Sequence, residues 1–175
     1  MERLSVSLDK ESLSIIEKYL PKYQGSKADL IRRALHYLDH NEEVQKKTSM
    51  ENIDAYVEFL ANMEHVMVDI AIWKAIFTEI GKGTDEFWDE VFKIGGEHQT
   101  EYFDRGMKNI SDILKYIEKT NVYKLNIDSP NSYTLILAVS ESSKFVKTFF
   151  EGFFNKFPRK VEIVEEYKKI RIRVI

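Results

Sequence analysis

VYKLNIDSPNSYTLILAV, residues 122–139, contains two short runs rich in apolar residues, VYKLNID and YTLILAV, on either side of SPNS. Runs that contain β-branched and aromatic residues favour strands, and Ser, Pro and Asn between two such runs favour a turn. The segment therefore predicts a β-hairpin. It also marks a change along the chain, because the residues before it show helical periodicity and those after it show short alternating runs.

The residues that follow extend this hairpin into a larger sheet. Ser140 is placed to cap a helix that runs to about Phe157 and ends at Pro158. KVEIVE and KIRIRVI then predict a second hairpin around EYK. The order β-β-α-β-β predicts an α+β domain with an antiparallel sheet.

Residues 50–119 are predicted to be mostly helical. A broad apolar stripe at helical spacing predicts a long helix from Met50 to Ile80, which must be buried against another domain face or a second chain. Thr84 with acidic residues behind it predicts a new helix start. We expect these helices and the sheet to form one domain, residues 50–175.

Two glycines and a polar segment interrupt this pattern. The helix that starts after Thr84 is predicted to kink or end at Gly95 and Gly96, and a further helix reaches about Lys119. NEEVQKKTS, residues 41–49, has no apolar face, so it is either a linker or a continued solvated helix. We take residues 43–49 as the linker, which leaves residues 1–42 as a separate N-terminal domain.

The N-terminal domain begins with a strand pattern in which Leu4, Val6 and Leu8 alternate with polar residues. Asp9 is placed to cap a helix over about 10–20, and Ser26 with an acidic residue three positions later predicts a capped second helix to about His40. A lone strand leaves its backbone groups unpaired. The nearest solution is the same strand from a second copy, paired antiparallel across a two-fold axis.

RLSVSLDKESLSIIEKYL followed by GSKADLIRRAL resembles the ribbon-helix-helix family of DNA-binding proteins over residues 2–40. The resemblance implies an intertwined β-α-α homodimer, or a tetramer built from it, that binds double-stranded DNA. It implies that the ribbon enters the major groove of an inverted-repeat operator. The outward side chains that would contact bases are Arg3, Ser5 and Ser7, of which Arg3 can donate two hydrogen bonds to guanine.

The same resemblance implies that the start of the second helix holds the DNA backbone. Free backbone amides and the helix dipole attract anions at such a position, and Lys27 adds a positive charge. The residues that would contact phosphate are Gly25, Ser26 and Lys27. Ser26 also serves as an ordinary helix cap, and the two roles are compatible.

Aromatic residues are concentrated in the second domain and mostly predict a core that packs over the sheet. A surplus of them could line a pocket for an apolar or planar effector. The residues expected in that pocket are Trp88, Tyr102, Phe103, Phe149 and Phe153. VFKIGGEHQTEYFDRG and VEIVEEYKKIRIRV also make residues 85–175 similar to small-molecule-binding domains of the 4-vinyl reductase type, which implies a sensory role.

Composition excludes several classes of chemistry. The chain has no cysteine, so it has no disulfide, thiolate metal site or cysteine nucleophile. His36 and His40 are four residues apart on a helix, but nothing nearby completes a metal site. No catalytic motif is present, so we expect no enzyme activity, no cofactor and no metal.

Charge and hydropathy predict an intracellular location. The formal net charge is -3, so contact with nucleic acid must be local. VMVDIAIWKAIF, the longest apolar run, is broken by Asp69 and Lys74, and no signal segment is recognisable. We expect a cytoplasmic protein that does not bind membranes.

Together these features predict a sequence-specific DNA-binding transcriptional regulator, such as a repressor, with a C-terminal effector-sensing or oligomerisation domain. The alternative is an antitoxin-like interaction protein that binds a partner protein through its C-terminal domain and autoregulates its own operon.

Overall fold

The computed structural model describes residues 5–23, 25–61 and 65–175. The chain divides into two compact units between Asp54 and Ala55. We call them the N-terminal unit and the C-terminal unit and describe each by itself.

The N-terminal unit is helical. Helix α1 spans Lys10–Tyr19, a short 3₁₀ helix spans Leu20–Lys22, and α2 spans Lys27–Gln45. Asp9 caps α1 by accepting a 2.8 Å hydrogen bond from the Ser12 backbone N–H. Because α2 ends at Gln45, it continues into the segment predicted as a linker, residues 43–49. Helix α3, Met50–Ala61, begins in this unit.

The predicted N-terminal β-α-α fold is wrong, because residues 5–9 form neither strand nor helix. Val6 is 66% exposed, and Ser5 and Ser7 are exposed as well. The physical reason is that a single chain gives this segment no strand to pair with, so the alternating pattern does not produce extended ladder structure on its own. Arg3 and Leu4 lie outside the described residues.

The C-terminal unit has the predicted β-β-α-β-β order after a series of helices. Helices α4, α5 and α6 span Ile70–Ile80, Asp85–Asp104 and Ile110–Glu118. The remaining elements, in chain order, are β1 Tyr123–Ser129, β2 Ser132–Leu137, a 3₁₀ helix Ser140–Ser142, α7 Ser143–Phe154, β3 Val161–Glu166 and β4 Lys169–Val174. The sheet is antiparallel with the strand order β1-β2-β4-β3.

The core of the C-terminal unit lies between α6, α7 and one face of the sheet. Tyr123 is almost fully buried and donates a 2.7 Å hydrogen bond to the Leu114 carbonyl oxygen, which ties β1 to α6. Alternate residues of the central strands β2 and β4 point into the same core. Its most completely buried apolar residues are Ile113, Leu114, Leu135, Phe150, Phe153, Ile170 and Ile172.

Two helix predictions in this unit differ from the structure. The helix predicted over Met50–Ile80 is two helices, α3 and α4, because residues 65–69 are not helical. Helix α5 does not end or kink at Gly95 and Gly96 but continues to Asp104.

Close approach of two helix backbones explains the glycines. A Cβ atom on Gly95 would collide with the Phe149 carbonyl oxygen of α7, and one on Gly152 of α7 would collide with the Phe92 carbonyl oxygen of α5. Glycine is needed at both positions because α5 and α7 touch through their backbones. The contact positions the two helices that form most of the candidate site.

Candidate ligand cavity and N-terminal helices

A cavity of about 510 Å³ lies inside the C-terminal unit, between the C-terminal end of α3 and helices α5, α6 and α7. Its lining is largely aromatic, with a small group of charged side chains. The residues that line it are Glu58, Phe59, His65, Ile94, His98, Glu101, Tyr102, Arg105, Tyr116, Ile117, Thr120, Val122, Tyr123, Phe145, Val146, Phe149 and Phe150.

Helical periodicity brings the α5 and α7 residues to the cavity. Ile94, His98, Glu101, Tyr102 and Arg105 recur at intervals of three or four residues along or just after α5, which places them on one face. The lining residues of α7 are two adjacent pairs four positions apart, 145–146 and 149–150. The close glycine contact between α5 and α7 holds these two faces beside each other.

Three aromatic rings form a box at one side of the cavity. The Phe59 and Tyr116 ring centroids are 5.4 Å apart with an interplanar angle of 76°, and those of Tyr102 and Tyr116 are 5.6 Å apart at 78°. Both contacts are edge-to-face, the arrangement that the aromatic quadrupole favours. We call Phe59, Tyr102 and Tyr116 the aromatic box.

A charged cluster lies beside the aromatic box. Arg105 Nη1 is 3.1 Å from Glu58 Oε1, and Arg105 Nη2 is 2.6 Å from Glu101 Oε1. His98 Nδ1 is 3.4 Å from the second oxygen of Glu101. The guanidinium is therefore shared by two carboxylates from different helices. We call Glu58, Glu101 and Arg105 the charged cluster.

The tyrosines of the box remain neutral hydroxyl groups. Burial, followed by the neighbouring Tyr116 and Glu101, raises the pKa of Tyr102. Burial also raises the pKa of Tyr116, with a smaller contribution from the Glu58 carboxylate, which also hydrogen-bonds its hydroxyl. At neutral pH both hydroxyls are thus protonated; Tyr116 donates its hydrogen to Glu58, and Tyr102 can donate a hydrogen bond into the site.

Two of the five residues expected in an effector pocket line the cavity, and the other three do not. Tyr102 and Phe149 line the cavity. Trp88 is buried in α5 and donates a 3.2 Å hydrogen bond from Nε1 to the Gly83 carbonyl oxygen, and Phe103 packs on Phe157 at 5.9 Å. Phe153 lies in the core, 5.7 Å from the Tyr102 ring, so it supports the cavity wall from behind.

Sequence reasoning missed the charged cluster. Glu101 and Arg105 have the four-residue spacing of a helical ion pair, so the sequence alone indicates this part of the cluster. Glu58 is 47 residues from Arg105 along the chain, and no local pattern connects them. The cluster forms because the C-terminal ends of α3 and α5 lie close together.

The structure describes the residues predicted to contact DNA only in part. Arg3 lies outside the described residues, and Ser5 and Ser7 are exposed on a segment without strand. Gly25 is exposed just before α2, Ser26 is the N-cap of this helix and Lys27 is its first residue.

The start of α2 already holds a carboxylate. The Ser26 backbone N–H donates a 3.0 Å hydrogen bond to Asp29 Oδ2, the Ser26 hydroxyl donates to the same oxygen at 2.6 Å, and Arg32 lies 2.5 Å from Oδ1. The hydrogen bonds from Ser26 and Arg32 lower the pKa of Asp29, so it is ionised at neutral pH. A phosphate at this position would therefore meet a negative charge as well as the helix dipole.

The described residues contain neither a metal-ligand cluster nor a membrane-spanning helix. Within residues 5–23, 25–61 and 65–175, no group of three His, Asp or Glu side chains is placed to hold a metal ion. Across the same residues, every helix is too short or too polar to cross a bilayer.

Comparison with known proteins adds no family to these observations. No protein-family model matches the chain, and no curated protein is found to match it.

Proposed function

We propose that this chain is a sequence-specific DNA-binding transcriptional regulator that acts as a homodimer and responds to a small effector. The N-terminal unit contacts double-stranded DNA, and the cavity of the C-terminal unit holds the effector. The observation that carries the proposal is the contrast between a unit that has a packed core with an aromatic cavity beside it and a unit whose helices expose most of their apolar side chains. Because DNA is its target, the protein acts in the cytoplasm.

The exposed apolar side chains of α1 and α2 support the homodimer. Among the described residues up to Asp54, Ile16 is the one that is buried. Apolar side chains of this number cost free energy in water unless another surface covers them. A second copy of the chain offers the same helices and so a self-complementary contact. The exposed set is Leu13, Ile15, Ile31, Leu35, Tyr37 and Leu38.

The polar groups near the start of the chain support contact with DNA. The proposal rests on the resemblance of residues 2–40 to a family of DNA-binding proteins, without the strand ribbon that this family uses. Ser5, Ser7 and Lys27 are exposed and accessible to a nucleic acid. Since Asp29 accepts hydrogen bonds from Ser26, we expect phosphate attraction to depend mainly on the Lys27 ammonium.

The cavity supports the sensory role. Its volume of about 510 Å³ is within the range of small-molecule sites, roughly 300–1,000 Å³. Aromatic walls with a few convergent polar groups are typical of such sites. The similarity of residues 85–175 to small-molecule-binding domains points to the same role.

Selection of bound duplexes from a random DNA pool tests the proposal with the full chain. We expect the pool to converge on an inverted repeat, because a two-fold dimer presents each contact twice. Recovery of duplexes without any shared sequence would contradict sequence-specific binding. A stable complex with an unrelated small protein, purified from the native cell, would instead favour the antitoxin-like alternative.

Two variants separate the expected DNA contacts. Lys27→Ala should weaken binding to all sequences alike and reduce the salt dependence by about one charge, whereas Arg3→Ala should relax base preference. Lys47→Ala is the matched control, because Lys47 is an exposed lysine of the same unit that is not expected to touch DNA. Equal binding by Lys27→Ala and Lys47→Ala on every duplex would rule out the phosphate role.

A further inference from the structure

We infer that the cavity binds an organic cation, a compound with an apolar, aromatic body and one protonated or quaternary nitrogen. The inference rests on the proposed function, because it names the chemical class of the effector. The juxtaposition of the aromatic box with the charged cluster carries it.

The charges of the lining favour a cation. Glu58 and Glu101 supply two carboxylates, and Arg105 supplies one guanidinium. With histidines counted as neutral, one negative charge of the lining is not balanced. A ligand that fills the cavity would cover carboxylates that are now 47% and 44% exposed, and covering such a charge is costly unless a positive group joins it. A ligand cation in the cavity would neutralise the remaining negative charge of the lining.

The state of Arg105 disfavours an anion. Its two terminal nitrogens lie 3.1 Å and 2.6 Å from carboxylate oxygens of Glu58 and Glu101. A ligand carboxylate would have to displace one of these partners from the guanidinium and would be repelled by both. The described lining contains no other lysine or arginine that could receive it.

The aromatic box provides the second attraction for a cation. The face of an aromatic ring carries partial negative charge, and several rings at steep angles to one another hold ammonium groups well. Phe59 and Tyr116 are at 76° and Tyr102 and Tyr116 at 78°. A ring of this box already attracts an ammonium, since Lys119 Nζ is 5.9 Å from the Tyr116 centroid, although Lys119 does not line the cavity.

A hydrogen bond places the two features together. The Glu58 carboxylate accepts a hydrogen bond from the Tyr116 hydroxyl, so one carboxylate of the cluster lies next to a ring of the box. The lining also contains the apolar side chains of Ile94, Phe145 and Phe149, which can receive the apolar body of a ligand.

The test compares three compounds that differ in charge. The probes are (naphthylmethyl)trimethylammonium, its uncharged isostere in which carbon replaces nitrogen, and naphthylacetate. Their binding to the full chain is measured by equilibrium dialysis. We expect the cation to bind at least about tenfold more tightly than the isostere, because the aromatic faces and the carboxylates attract only the charged compound. We expect the anion to bind more weakly than the isostere.

Charge-neutral variants locate the effect. Glu101→Gln and Glu58→Gln should each weaken cation binding by about threefold to tenfold and leave binding of the isostere unchanged, which also shows that the cavity is intact. Glu97→Gln is the matched control on the same helix, because Glu97 is exposed, pairs with Lys93 at 3.8 Å and lies outside the cavity. It should leave the affinity for the cation unchanged.

The outcomes separate the inference from the proposed function. Binding of the isostere or the anion as tightly as the cation would overturn the inference while an effector cavity remains. Cation binding that Glu97→Gln weakens as much as Glu101→Gln would overturn it too. Failure of all three probes to bind overturns it as well. The DNA-binding proposal fails separately, if the same preparation selects no sequence from the random pool.

Discussion

The two units of this chain use apolar residues in opposite ways. In the C-terminal unit, residues such as Leu114 and Ile170 are completely enclosed between helices and sheet. In the N-terminal unit, Leu35 and Leu38 of α2 are more than half exposed. Both sets recur with helical or strand periodicity, so periodicity alone does not say whether the covering surface belongs to the same chain. The exposed apolar side chains of α1 and α2 are the basis of the homodimer proposed above, in which a second copy covers them.

The largest expected effect is on the helix contact that supports the C-terminal unit. Gly152→Ala should destabilise this unit by several kcal/mol, about 3 or more, because its methyl group would collide with the Phe92 carbonyl and the helices α5 and α7 would have to separate. The measurement is urea unfolding followed by tryptophan fluorescence. Both tryptophans, Trp73 and Trp88, lie in this unit, so the signal reports it alone.

The neighbouring glycine provides the control. A Cβ on Gly96 would lie at an ordinary contact distance of 3.6 Å from its nearest neighbour, the Gly152 carbonyl oxygen. Gly96→Ala should therefore be neutral or stabilise α5 by roughly 0.5–1 kcal/mol. Equal destabilisation by the two substitutions would show that the backbones of α5 and α7 are not in close contact.

A leucine in each unit tests the contrast directly. Leu114→Ala removes a completely buried side chain and should cost about 2–5 kcal/mol in the unfolding of the C-terminal unit. Leu35→Ala, at a side chain that is 59% exposed, should leave that unfolding unchanged and weaken self-association. Sedimentation velocity at several concentrations measures the second effect. Unchanged self-association would contradict a dimer built on the exposed face of α2.

The smallest expected effect concerns the start of α2. Ser26→Ala removes both the cap of the Asp29 N–H and the hydroxyl that donates to the Asp29 carboxylate, and should cost about 1 kcal/mol in the N-terminal unit. Hydrogen exchange of the first-turn amides of α2 measures the loss, and exchange in the C-terminal unit should not change. Ser26→Thr keeps a capping hydroxyl and should retain most of the protection. Loss of protection in both variants would argue against capping as the cause.

Local patterns predicted the C-terminal sheet well. The two hairpins follow from alternation and turn residues within a few positions of each other. The helix between them is also predicted, but α7 begins at Ser143, after a 3₁₀ helix over Ser140–Ser142, and ends at Phe154 rather than near Phe157. Local patterns failed at Gly95, where intrinsic helix preference argues for an interruption. Helix α5 continues there because a helix from another part of the chain, α7, packs against the missing side chain.

The strand predicted over residues 2–8 is absent from residues 5–8, the part of it that the structure describes, for a related reason. Alternation describes a surface that can be buried on one side, but a strand also requires hydrogen-bonding partners. Residues 5–9 have no such partner within the chain and are not extended into a sheet. The alternating pattern indicates which side chains share one face of the segment, but it does not indicate which strand would pair with it.

The amino-acid sequence determines the helix caps at Asp9 and Ser26, the two hairpins and the absence of thiol chemistry, because each depends on residues close together in the chain or on composition. The cavity depends on tertiary structure. Glu58, Glu101 and Tyr116 come from three helices, and only their packing brings two carboxylates to one guanidinium beside an aromatic box. Contacts between residues that are distant in sequence leave no local pattern, so the cavity can be recognised only in the tertiary structure.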